Sequence, residues 1–378
     1  MRVYLDNAAT TQIAPEVVDA MVEVLQEDFG NPSSTHFYGR QVKALIEISR
    51  RKVARHINCS PSEVVFTSGG TEADNMALFC AVNDLGVKRI ITSSIEHHAV
   101  GHCVDALVSN NSILYQPVNV DSKGNIDLIH LESLLKEGIP TLVSLMHANN
   151  EIATLLSLKE VSILCRKYNA FFHSDTVQTM GHYQFDLMDT DVDFVTCAAH
   201  KFHGPKGIGF LYINKKNKVE SMIYGGSQER GLRGGTENVY GIVGLAKAMD
   251  LAYEDLQKHQ EHIQSLKSFM IEELKKLFPT ISFHGEIEPS KSLYTVLNVC
   301  FPKTKKGGML LFTLDLKGVA VSGGSACSSG SNKGSHVLEG IGADLTRPNA
   351  RFSFSRYTTK EEIVFTLEQL KSSFEQTL

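Results

Sequence analysis

Lys201 lies in the run His200-Lys201-Phe202-His203-Gly204-Pro205-Lys206-Gly207, between strand-like apolar stretches at 192–197 and 208–213. Lysine is among the side chains least often fully buried. At a strand end it can be desolvated, lose its proton and attack a carbonyl as a Schiff-base nucleophile. As an isolated feature it reads more often as a solvated loop charge. Asp175 precedes it, in His173-Ser174-Asp175-Thr176-Val177-Gln178, after the short hydrophobic segment 170–172. A carboxylate there can keep a pyridinium nitrogen protonated so that the ring serves as an electron sink, or it can simply cap the next helix. The third element, Phe66-Thr67-Ser68-Gly69-Gly70-Thr71-Glu72-Ala73-Asp74-Asn75, runs from a strand at 64–66 into a helical pattern. Gly70 and Thr71 at a helix N-terminus offer free backbone N–H groups and the positive end of the helix dipole to a phosphate. Such turns also serve as plain helix entries. Cradle, acid and lysine, each at a strand end, together supply the three functions that a pyridoxal-phosphate site requires.

The elements that must position these groups alternate along the chain. Two helical patterns (from Pro15, and about 40–57) precede short apolar segments at 64–66, 90–92, 113–117, 141–145, 170–172, 194–197 and 208–213, most of them separated by amphipathic helices. This pattern predicts a mostly parallel sheet covered on both faces. Ligands in such sheets bind outside the strand ends, where the three motifs fall. A long helical stretch at about 239–277 leads into a smaller α+β unit, with strands near 294–301, 319–321 and 350–354 and helices at 309–316 and from Lys360. At 378 residues, two domains are the natural expectation.

Hydrophobic content of 42% and charged content of 21% describe an ordinary globular chain, and the net charge of -5 gives no electrostatic reason to expect nucleic-acid binding. No stretch is apolar enough to cross a bilayer and the N-terminus does not read as a signal peptide, so a cytoplasmic location is expected. Seven cysteines without a Cys-x-x-Cys pair argue against a disulfide framework or an intrinsic metal site. Cys80, Cys103, Cys165, Cys197 and Cys300 sit in apolar patterns as core thiols, and Cys59 precedes a loop. Cys327 differs: its surroundings, about 322–335, are almost all small and polar, which predicts a mobile surface loop. A thiol there can act as a nucleophile and, by taking up sulfur, become a persulfide carrier; an incidental surface cysteine is the alternative.

The chain resembles the cysteine desulfurases of the NifS/IscS type, in the class-V aminotransferase superfamily of fold-type I pyridoxal-phosphate enzymes. The resemblance runs nearly end to end. It rests on Tyr4-Leu5-Asp6-Asn7-Ala8-Ala9-Thr10-Thr11, Gly30-Asn31-Pro32-Ser33-Ser34, Ser68-Gly69-Gly70-Thr71-Glu72, Glu96-His97-His98-Ala99-Val100 and Ala148-Asn149-Asn150-Glu151. It continues through the Asp175 and Lys201 segments, Gly234-Gly235-Thr236-Glu237-Asn238, Ser325-Ala326-Cys327-Ser328-Ser329-Gly330 and Arg351-Phe352-Ser353. The resemblance implies an α/β fold: a large cofactor-binding domain (15–255) with a mostly parallel seven-stranded sheet, and a smaller α+β domain (1–14 with 256–378) carrying the cysteine loop. It implies pyridoxal 5'-phosphate on Lys201, His97 stacked over the ring, Gln178 at the ring oxygen and His200 at the phosphate. Asn150 would bond the cofactor or substrate, and Arg351 would clamp the substrate carboxylate in a bidentate fork. Thr236 would reach the phosphate of a neighbouring subunit, which implies a homodimer with shared sites. The implied reaction turns L-cysteine into L-alanine and a persulfide on Cys327, for an iron–sulfur scaffold or a tRNA-thiolation enzyme. Cys327 could also serve as a transient cluster ligand with a scaffold partner.

Several positions depart from the family pattern. The usual phosphate-binding serine three residues before the lysine is Ala198. Losing that donor costs about 1.5–3 kcal/mol unless Thr196 or a water substitutes. A usual glycine and proline are Ala153 and Ser157, a common Gly-Lys is Gly181-His182, and the glycine after Arg-Phe-Ser is Ser355. None removes a reacting group. The alternatives are a selenocysteine lyase or another class-V lyase and, made conceivable by Ala198, a non-catalytic scaffold protein of the same fold.

Overall fold

A computed structural model describes residues 1–111, 113–304, 307–323 and 334–375. Strand β1 (Val3–Tyr4) is followed by helices α1 (Pro15–Glu27) and α2 (Phe37–His56). The alternating region then runs β2 (Val64–Thr67), α3 (Gly70–Asp84), β3 (Arg89–Thr92), α4 (His98–Asn111), β4 (Leu114–Pro117), α5 (Leu128–Leu135), β5 (Thr141–Ser144), α6 (Leu158–Lys167), β6 (Phe171–Asp175), β7 (Phe194–Ala198) and β8 (Gly209–Ile213). These seven strands form one sheet in the order β2-β8-β7-β6-β5-β3-β4. The chain is thus an α/β protein with a fold-type I large sheet. Strands β2, β3, β5, β7 and β8 are buried along their whole length, as helices on both faces require. The edge strand β4 is largely exposed.

The pairs from β4 through β7 are parallel, whereas β8 is antiparallel to both β7 and β2. Chain length explains the reversal. Only residues 199–208 join β7 to β8, and a parallel return needs a crossover of a dozen or more. Lys201 ends a short 3-10 turn inside that return (Ala199–Lys201), so the tight connection itself puts it at the sheet edge.

Beyond the sheet, α7 (Val239–Glu254) and α8 (Leu256–Leu277) correct the single helical stretch expected at 239–277. Asp255, at φ -119° and ψ 31°, leaves the helical region and breaks it. There follow β9 (Ser282–His284), β10 (Val296–Cys300), α9 (Leu310–Leu316), β11 (Val319–Ala320), α10 (His336–Gly340), β12 (Asn349–Ser353) and α11 (Lys360–Glu375). β12, β10 and β9 make an antiparallel sheet, and β1 pairs in parallel with β11. One apolar core gathers residues between Ala14 and Ala252, among them Val143, Phe172 and Leu245. Another joins Val3 and Leu5 to residues from Ile263 to Leu370. The segment between Leu5 and Ala14 therefore crosses from one core to the other. Among the described residues, no helix is long and apolar enough to cross a membrane.

The departures from the family pattern have local roles. Ser157 caps α6 by accepting the Glu160 N–H at 3.4 Å. His182 Nε2 donates to the Lys201 carbonyl at 3.3 Å, bracing the lysine turn. Ser355 Oγ accepts the Tyr357 N–H at 3.2 Å. Ala153 occupies the left-handed region at φ 68°, where a side chain costs about 1–2 kcal/mol and glycine costs nothing.

Candidate active site

A cavity of about 230 Å³ opens at the carboxyl ends of the parallel strands. Gly70, Thr71, His97, Asn150, Asp175, Gln178, Ala198, His200, Lys201 and Arg351 all line it. Residues as much as 281 positions apart (351 minus 70) are brought together because those of the large sheet follow strands ending at the same rim, while Arg351 reaches the cavity from β12 of the smaller sheet.

At one end is the start of α3. Gly69, at φ 154°, precedes it without any side-chain cap. The first helical bond runs from the Ala73 N–H to the Gly69 carbonyl at 3.2 Å, so the N–H groups of Gly70, Thr71 and Glu72 have no helix carbonyl. A Cβ on Gly70 would lie 2.8 Å from Val177 Cγ2, so only glycine fits without displacing the cavity wall. His200 also faces this cavity, with Nδ1 3.1 Å from Thr10 Oγ1. Burial, then the charges of Lys201 and Lys206, lowers its pKa to about 4, which keeps the ring neutral. Thr196 does not stand in for the absent serine: it is fully buried and its hydroxyl is engaged by His173 Nε2 at 3.1 Å.

In the middle, Asp175 ends β6 and accepts the Val177 N–H at 2.8 Å. Burial raises its carboxyl to about 7, with nearby Asp74 acting in the same direction. A cation beside it would reverse that shift. Lys201 Nζ donates to the carbonyls of Ala8 (2.6 Å) and Ala9 (2.9 Å), and Gln178 Nε2 donates to Ala8 at 3.1 Å. His97 Nδ1 accepts the Ala99 N–H at 3.1 Å. Burial first, then the charge on Lys201, lowers its pKa to about 4, leaving a neutral, flat ring in the cavity wall.

At the other end, Arg351 on β12 donates to the Asn150 carbonyl at 2.8 Å and to Asp6 Oδ1 at 2.9 Å. Its Nε and the Asn150 side-chain oxygen are buried without a hydrogen-bond partner among the described residues, as expected where a polar ligand is to be received. Thr236 lies outside the cavity and is exposed. Cys327 falls outside the described residues. Cys80, Cys103, Cys165, Cys197 and Cys300 are buried. Burial pushes the Cys80 and Cys103 thiols up to about 12 and raises those of Cys165 and Cys197 as well, so these four are poor nucleophiles at neutral pH.

The structure adds cavity residues that sequence reasoning did not assign. Asp74, one helical turn after Gly70, is fully buried and has its carboxyl raised to about 7 by burial. The i, i+4 spacing from Gly70 on an N-terminal turn was the available signal. Glu151 and His336 also line the cavity. His336 follows the cysteine loop in sequence, and nothing local ties it to the other residues.

The class-V aminotransferase family profile matches residues 3–365. A cysteine desulfurase IscS from Dictyoglomus turgidum is 42% identical, covering 99% of this chain and 95% of that protein. Among solved structures, a NifS-like protein superposes with a TM-score of 0.91 at 36% identity, covering all of both chains. A structure described as SspA in complex with cysteine matches with a TM-score of 0.80 at 29% identity, covering 95% of this chain and 100% of that one. The chain belongs to the class-V aminotransferase family and, within it, to the cysteine desulfurases of the IscS/NifS type.

Proposed function

We propose that this chain is a cysteine desulfurase that removes the sulfur of L-cysteine, releases L-alanine and keeps the sulfur as a persulfide on Cys327. The observation that carries this reading is the convergence of Lys201, Asp175 and Arg351 on one cavity beside the uncapped start of α3. The solved relative described as bound to cysteine supports the substrate.

The residues fit pyridoxal 5'-phosphate. Gly70 leaves the space that a Cβ would fill, the first α3 N–H groups lack helix carbonyls, and a buried carboxyl faces a lysine across the same cavity. Lys201 would hold the cofactor covalently, Asp175 its ring nitrogen and Gln178 its ring oxygen. Gly70, Thr71 and His200 would hold the phosphate, with Thr236 from a second subunit of a homodimer. When bound, the cofactor supplies an electron sink for negative charge developing at the substrate Cα. In this reading 15–255 is the cofactor-binding unit and 1–14 with 256–378 the second unit, a division supported by their largest apolar cores, while smaller clusters such as Ala153 with Leu293 pack across the boundary.

The protein's own groups then act in sequence. Arg351 and Asn150 orient the substrate carboxylate, the neutral His97 ring, in the cavity wall, would pack against the bound cofactor, and Lys201 takes up the Cα proton. The Cys327 thiolate attacks the substrate sulfur: an S–S bond forms, the C–S bond breaks, and the electron pair stays on the carbon skeleton. That skeleton takes up a proton at Cβ, Lys201 returns the proton to Cα, and alanine leaves. The persulfide passes to a sulfur acceptor of iron–sulfur assembly or tRNA thiolation.

The test is a single turnover of cofactor-loaded protein with L-cysteine and no reductant, measuring alanine and protein-bound persulfide together. Equal amounts, with the persulfide mapped to Cys327 and absent from Cys327→Ala, are expected. Turnover of Cys327→Ala at the wild-type rate would refute the nucleophile. Parallel assays with selenocysteine and cysteine sulfinate separate a desulfurase from the other lyases.

A further inference from the structure

Arg351 is 1% exposed, and its guanidinium is already engaged. Nη1 donates to the Asn150 carbonyl and Nη2 to Asp6 Oδ1 at 2.9 Å, while Nε is buried without a partner among the described residues. The Asp6 contact differs from a surface ion pair, for the two side chains are only 2% and 20% exposed. Asp6 is also held by its backbone. Asn7 Nδ2 donates to the Ser353 carbonyl at 2.8 Å, the Ala8 N–H donates to Ser353 Oγ at 2.8 Å, and Tyr4 Oη donates to the Asp6 carbonyl at 3.1 Å. Ser353 lies two residues beyond Arg351 on β12, so one strand fixes both partners. Glu151 is a second carboxyl within the influence of Arg351, but the Ser335 hydroxyl donates to it at 2.5 Å.

We propose that Asp6 is a resident carboxylate that partly neutralises Arg351 and so determines how tightly, and how selectively, the site holds a substrate carboxylate. This rests on reading Arg351 as the substrate-carboxylate residue. An incoming carboxylate meets a paired guanidinium. It must share the fork with Asp6 or displace it, and either route removes part of the attraction that a bare guanidinium would offer. A carboxylate alone is then a weak ligand, and the rest of an amino acid must contribute to capture. Asp6 acts through Arg351 and is a positioning residue.

The test compares Asp6→Asn with wild type. Asparagine keeps an oxygen that can accept from Nη2, so the arginine stays oriented while the charge is lost. Calorimetric binding of 3-mercaptopropionate, which has the carboxylate and thiol of cysteine but no amine, is expected to tighten by roughly tenfold in the variant. Binding of 3-mercaptopropionamide should change less than twofold. In turnover, KM for L-cysteine should fall while kcat does not rise. Unchanged or weaker 3-mercaptopropionate binding by a folded Asp6→Asn protein would overturn the proposal.

If the variant does not fold, the wild type decides. A neutralised arginine prefers the carboxylate to the amide by less than about tenfold, and a larger preference would overturn the proposal. If wild-type protein forms no alanine from cysteine, the functional reading fails, while the binding measurements still judge Asp6.

Discussion

Restoring a hydroxyl at position 198 should tighten cofactor binding. Ala198 is 2% exposed, ends β7 and lines the cavity. A Cβ built on Gly70 would lie 3.6 Å from the Ala198 Cβ, so residue 198 flanks the uncapped start of α3 proposed to hold the phosphate. The hydroxyl of Thr196 is committed to His173, and no other side chain of β7 replaces the missing donor. A hydrogen bond to a charged group contributes about 1.5–3 kcal/mol. At 1.36 kcal/mol per tenfold, Ala198→Ser should lower the Kd for pyridoxal 5'-phosphate by about 10- to 150-fold. The chain has no tryptophan, so the titration is best followed by cofactor absorbance. Pyridoxal, which lacks the phosphate, is the control and should bind both proteins alike. A change within twofold for the phosphorylated cofactor, or an equal gain for pyridoxal, would refute the argument.

Asp175→Asn should stabilise the cofactor-free protein relative to wild type by an amount that grows with pH. The folded carboxyl holds its proton to about 7, whereas the ordinary value is 3.8. Its contribution is therefore fully present below pH 3.8 and is lost as pH rises toward 7, at no more than about 1.4 kcal/mol per pH unit. Urea midpoints of both proteins from pH 4 to 8 check this, and a constant difference would contradict it. Arg50→Leu should cost about 3–5 kcal/mol. It strands Glu229, which is 5% exposed and bonds Arg50 at 2.6 and 2.8 Å. Denaturant unfolding measures the loss, and Glu229→Gln in the same chain should recover part of it. Lys201→Ala should abolish the lysine-linked visible absorbance of the added cofactor, and a spectrum like that of wild type would exclude Lys201 as the attachment point.

Much of the fold was legible because its signals are local. Seven short apolar segments with intervening amphipathic helices correspond to the seven strands of the large sheet, within a few residues at each end. The positions of Asp175 and Lys201 at strand ends followed from the apolar run before each. The break at Asp255 was not legible, since helix-forming residues continue on either side of it with no glycine or proline nearby. Nor was β9, three residues with no buried position.

The site divides along the same line. Residue types and strand endings were enough to nominate a lysine, an acid and a phosphate cradle, because desolvation at a strand end and free N–H groups at a helix start are properties of a few neighbouring residues. Only the tertiary structure showed that Asp6, from the N-terminal crossing between the cores, meets Arg351 from β12, 345 positions away. It alone put Asp74 beside Asp175, where its charge adds to burial in raising the Asp175 carboxyl, and committed the Thr196 hydroxyl to His173. Those relations depend on strand order and on the path of the chain across the sheet rim. Neither is written in any local stretch of sequence, since each forms only when burial of apolar surface brings distant strand ends to one edge.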